Sequence, residues 1–64
     1  MKVYRIKHKP SGLYWDVHKR KLTENGTVYD LLPYVYIGLV WVQEHYYKQY
    51  HPNEFEIKEY DLED

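Results

Sequence analysis

Val3-Tyr4-Arg5-Ile6-Lys7-His8-Lys9-Pro10-Ser11-Gly12-Leu13-Tyr14-Trp15-Asp16-Val17-His18-Lys19 is the stretch that decides how this chain folds. Residues 3–9 and 13–19 alternate in polarity and are rich in β-branched and aromatic side chains, the pattern of half-buried strands. Between them Pro10 presets φ at the second position of a turn, and Gly12 reaches the left-handed region without steric cost. The stretch therefore predicts a hairpin with a three-residue loop, a type I turn followed by a bulge at Gly12. Such a loop pairs Lys9 with Leu13, His8 with Tyr14, Lys7 with Trp15, Ile6 with Asp16, Arg5 with Val17 and Tyr4 with His18. One side of the hairpin then carries Tyr4, Ile6, His8, Tyr14, Asp16 and His18, and the other Val3, Arg5, Lys7, Leu13, Trp15, Val17 and Lys19. The second side has more aliphatic surface, and Arg and Lys stems can cover rings. The Val3/Leu13/Trp15/Val17 side is expected to be the core side.

Working outward, Asn25-Gly26 is a strong turn dipeptide and Val28-Tyr29 reads as a short strand near residue 28. Asp30 is a candidate helix cap, with Pro33 acceptable in a first turn. The segment that follows has two readings. Tyr34 to Val42 is β-branched and aromatic, as in a buried strand. On a helix, Tyr36, Leu39, Val40, Tyr47 and Tyr50 gather apart from Gly38, Glu44, His45, Lys48 and Gln49. We prefer the helix; both remain open at this point. His51-Pro52-Asn53 interrupts either one, because the residue before Pro is pushed out of helical space. Phe55 to Tyr60 alternates again and reads as a closing strand beside a basic strand of the hairpin, and residues 61–64 form an acidic end expected to fray. The fold class is α+β: one domain over 1–64 with a small antiparallel sheet of three to four strands. Its strands are the hairpin 3–9/13–19, the short strand near 28 and the strand 55–60, and segment 31–50 packs on it.

Composition narrows the function. A chain of 64 residues buries only about 60% of its unfolded surface, near the lower limit for folding alone. It has no cysteine, so neither disulfides nor thiolate ligands are available, which fits a reducing compartment such as a cytoplasm. The counterweight is nine Tyr, two Trp and one Phe, each burying roughly 150–250 Å². The first residues lack the apolar core of a signal peptide. The longest apolar run, Tyr34 to Val42, is about half of what spans a bilayer, so no membrane role is expected. The net charge is −1, yet Lys2, Arg5, Lys7, Lys9, Lys19, Arg20 and Lys21 lie early, and Glu44, Glu54, Glu56, Glu59, Asp61, Glu63 and Asp64 lie late. Basic and acidic strands placed side by side account for this sorting; a separate basic face is the alternative.

Chemistry is sparse. His8 and His18 fall on the same predicted face but on the order of 12–15 Å apart at ~3.3 Å per residue, and His45 and His51 flank a break. No His-Glu-x-x-His or comparable spacing occurs, so no metal is expected. Ser11, Thr23 and Thr27 all sit in predicted turns, where they bond locally. The three glycines are scattered, so there is no phosphate loop. A domain this small is also expected to leave little room for a ligand pocket of about 300 Å³. These residues predict no enzyme and no cofactor.

Binding remains, in two forms. Tyrosine and tryptophan supply rigid contact area with a polar tip, which interfaces favour. Tyr34, Tyr36, Trp41, Tyr46, Tyr47 and Tyr50 are more rings than a small core hides, and they are the candidate contacts for a protein partner or for a second copy of the chain. The alternative is nucleic acid, with Lys7, Lys9, Lys19, Arg20 and Lys21 on phosphates and Trp15 stacked on a base. The acidic last third argues against it, because such domains are usually basic overall.

Arg5 to Trp15 also resembles the opening of small uncharacterised proteins of tailed bacteriophages, which begin Tyr-Arg-Ile-Lys-His-Lys-Pro-Thr-Gly-Leu-Tyr and an aromatic. Leu22-Thr23-Glu24-Asn25-Gly26-Thr27-Val28-Tyr29 is similar to their Leu-Ser-x-x-Gly-Lys-Val-Tyr element. Phe55-Glu56-Ile57-Lys58-Glu59-Tyr60 is similar to their closing Trp-x-Ile-x-Glu-Tyr strand. About half of the chain is covered. The family's insertion is short here, at Asp16 to Lys21, and the aromatic stretch Tyr34–Tyr50 has no counterpart. The resemblance implies a phage protein acting in the host cytoplasm as an accessory factor. By analogy with small phage proteins in general, the expected role is to bind a bacterial host protein or to block a defence component.

Overall fold

The computed structural model describes residues 1–61; the end expected to fray lies, beyond Asp61, outside the described residues. The chain forms β1 (Lys2–His8), β2 (Tyr14–Asp16), β3 (Lys21–Thr23), α1 (Leu32–His45), a 3-10 turn at Pro52–Glu54, and β4 (Phe55–Asp61). The strands make one antiparallel sheet in the order β3-β2-β1-β4, with α1 across one face. This is the small α+β architecture expected, with the helix reading of the apolar segment.

The hairpin closes differently from the expectation. Lys7 lies opposite Tyr14, the His8 N–H donates to Leu13 O, and the Gly12 N–H donates to His8 O at 2.9 Å. The loop is thus residues 9–12, one residue longer than predicted, with Gly12 at φ 74° as its left-handed member. A one-residue slip moves every side chain relative to its partner face. Ile6 and Trp15, predicted on opposite sides, both belong to the core cluster with Val35, Val42 and Phe55. Val17 is exposed instead, and Leu13 is half-buried. Val3 is buried, but it alternates with Ile6 and shares the outer face with Arg5.

The second turn repeats the geometry of the first. Residues 17–20 connect Asp16 to Lys21, and the Arg20 N–H donates to Asp16 O at 2.8 Å, as the Gly12 N–H does to His8 O. Asp16 Oδ1 accepts from the His18 and Lys19 N–H groups. The left-handed position here is Arg20, at φ 55°, which costs an L-residue about 1 kcal/mol. The third strand is therefore Lys21–Thr23. The segment near 28 contributes a single bridge, Tyr29 with Tyr4, through hydrogen bonds of 2.7 and 2.8 Å.

β4 lies along the whole of β1, pairing Lys2 with Asp61, Lys7 with Glu56 and His8 with Phe55. The basic and acidic strands are neighbours, as expected. Lys2 Nζ is 3.6 Å from Glu59 and Lys58 Nζ is 3.5 Å from Glu56; exposed pairs of this kind contribute about 0–1 kcal/mol each. On the outer face the Arg5 guanidinium lies 4.5 Å from the centroids of both Tyr14 and Tyr60. The Tyr60 hydroxyl donates to that of Tyr14 at 2.7 Å. That bond holds the Tyr14 hydroxyl below its ordinary pKa, and burial raises that of Tyr60.

α1 starts without a side-chain cap. Leu31, not Asp30, is the capping residue, and Pro33 sits in the first turn, where its missing N–H has no helical partner to lose. The helix ends at His45, and the Tyr46 N–H still donates to Val42 O. No helix among the described residues is long and apolar enough to cross a membrane.

Candidate functional site

At ~100° per residue, Val35, Leu39 and Val42 form the stripe of α1 that faces the sheet, and only Val35 and Val42 are fully buried. Neither flank turns polar. No charged residue occurs between Asp30 and Glu44. Ile37 is 65% exposed, Tyr34 55% and Trp41 38%, and Tyr36 and Val40 stand exposed on the opposite flank. A surface helix normally turns a charged face to water; one that is apolar on all sides is normally covered.

The Tyr34/Ile37/Trp41 flank overhangs the end of β2 and makes a groove of about 300 Å³ lined by Trp15, Val17, Tyr29, Tyr34, Ile37, Gly38 and Trp41. This corrects the expectation that so small a domain leaves little room for one. Trp15 is the floor, 1% exposed, with its indole N–H buried and without an acceptor among the described residues. Tyr29 forms one wall, anchored by its bridge to Tyr4; burial raises the pKa of its hydroxyl. Trp41 is held by His45, whose ring stacks on it at 4.3 Å and 14°, and whose Nδ1 lies 2.9 Å from Trp41 O. Trp15, Tyr29 and Trp41 are thus held before a ligand arrives, which lowers the ordering cost of binding.

The aromatic residues expected to bind a partner divide into three groups. Tyr34 and Trp41 line the groove. Tyr36 and Tyr47 are exposed but lie outside it. Tyr46 and Tyr50 are half-buried and complete the core: Tyr46 lies 4.7 Å from Trp15, and Tyr50 lies 5.1 Å from His8 and 5.6 Å from Phe55. Val17, Tyr29, Ile37 and Gly38 were not anticipated. Ile37 follows from the helix reading alone, since 34, 37 and 41 share one flank at helical spacing. Tyr29 and Val17 arrive through the sheet and carry no local signal.

The basic set divides as well. Lys9 sits in the first turn; Lys19, Arg20 and Lys21 sit at the second, at the other end of β2. Lys7 is half-buried in mid-sheet. Trp15 is at the bottom of the core, so it offers no face for a base. The six residues do not form one nucleic-acid surface.

His8, read from the sequence as one of four ordinary surface or rim histidines, is 7% exposed. Its Nε2 is 3.2 Å from Glu54 Oε1 and its Nδ1 is 2.8 Å from Ser11 Oγ. The carboxylate makes Nε2 the donor, and the Ser11 hydroxyl then donates to Nδ1 while accepting from the Leu13 N–H. The bond from His8, with a second from the His51 N–H, lowers the Glu54 pKa. This chain ties the first turn to the 3-10 turn. None of its three side chains lines the groove, so it serves as a clamp. Among the described residues no three His, Asp or Glu side chains gather as metal ligands.

Comparison of the chain with protein-family models, with curated proteins and with solved structures finds no match to any of them.

Proposed function

We propose that this domain is a non-catalytic binding module that grips a protein partner through the aromatic groove beside α1. The observation that carries the reading is the absence of any charged residue from Leu32 to Gln43 of α1, with Tyr34, Ile37 and Trp41 exposed around a preformed groove. Apolar patches of this kind on small monomers mark interaction sites, and Trp and Tyr are enriched among the few residues that dominate binding energy. The resemblance to tailed-phage proteins supports a finer version: an accessory factor in an infected bacterial cytoplasm that engages a host protein or a defence component.

The test is affinity capture from bacterial cells with the native chain beside Ile37→Glu and Tyr34→Ala, each checked for a native circular dichroism spectrum. A protein held by the native chain and released by both variants supports the reading. Equal recovery by all three, or capture of nucleic acid instead of protein, overturns it. Light scattering on the same samples identifies self-association, which Ile37→Glu would abolish if a second copy were the occupant.

A further inference from the structure

We propose that the groove takes an acidic segment of a partner protein, anchored by one bulky apolar side chain, with the turn at residues 17–20 selecting its charge. This rests on the protein-binding reading above and names the chemistry of the partner. The part of the helix that lines the groove, Tyr34 to Trp41, has no charge to select with, whereas the turn does. It starts at Val17, a groove residue, and continues through His18, Lys19 and Arg20 to Lys21, all exposed. No carboxylate pairs with Lys19, Arg20 or Lys21 among the described residues. Asp16, which faces Lys21 across the strand pair, uses its Oδ1 to accept from the His18 and Lys19 N–H groups. Elsewhere Lys2 and Lys58 have carboxylates and Arg5 lies between two tyrosines.

Arg20 adds an independent argument. The first turn places glycine at the left-handed position and the second places arginine there, at φ 74° and 55°. The turn requires a left-handed residue at this position but not an arginine, and strain kept at a non-glycine residue points to a use for the side chain. A guanidinium on the turn that Val17 joins to the groove suits a carboxylate, which it can bind through paired hydrogen bonds. A second copy of the chain fits less well, because an isologous interface sets the same patch against itself and brings cations to cations. Nucleic acid also fits less well, since Val17, Ile37 and Gly38 present no side-chain groups to base edges.

The experiment is a titration of the isotopically labelled chain, followed by amide chemical shifts. Two short synthetic peptides of equal length are used, each with a central Leu-Phe, one flanked by Glu and Asp and the other by Lys. Oligo(dT) is the third probe. The acidic peptide is expected to shift amides at Val17–Lys21, Tyr34, Ile37 and Trp41, more weakly as salt rises. Lys19→Glu/Arg20→Glu is expected to lower that affinity by about tenfold or more while leaving the rest of the spectrum native. Equal binding of both peptides would overturn the charge selection and leave the groove as a protein site. Failure of both peptides to shift the groove overturns the proposal, while partner capture sensitive to Ile37→Glu would still uphold the wider reading. Tighter binding of oligo(dT) at the same turn overturns it in favour of nucleic acid.

Discussion

Gly38→Ala is the substitution whose outcome the structure makes most specific. A methyl group at Gly38 would stand 2.7 Å from the Tyr29 hydroxyl oxygen, 3.2 Å from Tyr29 Cζ and 3.3 Å from Ile6 Cδ1. Tyr29 cannot swing away freely, because its backbone is bridged to Tyr4, and Ile6 is fully buried. Two effects oppose each other. Alanine in a helix interior gains about 1 kcal/mol over glycine, and overpacking a core costs about 1–3 kcal/mol. The expected net is a loss of about 1 kcal/mol, a fall in Tm of about 4–8 °C for a domain this size. The worst contact is with the hydroxyl, so Tyr29→Phe removes most of the penalty. Tyr29→Phe alone should be nearly neutral, since no hydrogen bond of that hydroxyl occurs among the described residues. In the Tyr29→Phe background Gly38→Ala should become neutral or stabilising by up to about 1 kcal/mol, a coupling of about 1–2 kcal/mol. Urea unfolding of the four proteins, followed by circular dichroism, measures the cycle. An equal effect of Gly38→Ala with and without the Tyr29 hydroxyl would refute the argument that this wall of the groove sets the requirement for glycine.

Arg20→Gly should stabilise the fold by about 1 kcal/mol, because the left-handed conformation no longer opposes a β-carbon; an unchanged or lowered Tm would show that the two turns are not equivalent. The same variant should bind the acidic peptide more weakly, separating stability from function at one residue. Glu54→Gln should flatten the acid limb of the stability curve. The folded Glu54 has a lowered pKa, so its contribution is present above the unfolded value and is lost as pH falls through the folded one. Denaturant midpoints measured from neutral to acidic pH check this, and an unchanged acid limb would remove Glu54 from the account.

The first turn shows where local reading stops. Pro10 and Gly12 are enough to place a hairpin, and they place it correctly. Loops of three and four residues both accept glycine in the left-handed position, and nothing within residues 8–13 distinguishes them. The choice is made by partners distant in sequence. With a four-residue loop His8 turns to the helix side, where Glu54, Tyr50 and Phe55 receive it, and Trp15 joins Ile6 in the core. The three-residue register would have put Asp16 beside Ile6 instead.

The sequence by itself determined the class: alternating ends, a Pro-Ser-Gly turn, a breaker at His51-Pro52, and basic and acidic strands that belong together. It also put Tyr34 and Trp41 among six candidate contact residues, because an uncharged aromatic run exceeds what a small core can hide. Only the tertiary structure decided that the run is a helix, since one exposed face of a four-stranded sheet has to be covered and no other segment is long enough. It alone separated Tyr46 and Tyr50, which are used in the core, from Tyr34 and Trp41, which are not. It alone brought Val17, the first residue of the basic turn, and Tyr29 to the same groove. Burial is a property of three-dimensional neighbours, and a ring on a strand or helix carries no local mark of which side will be covered.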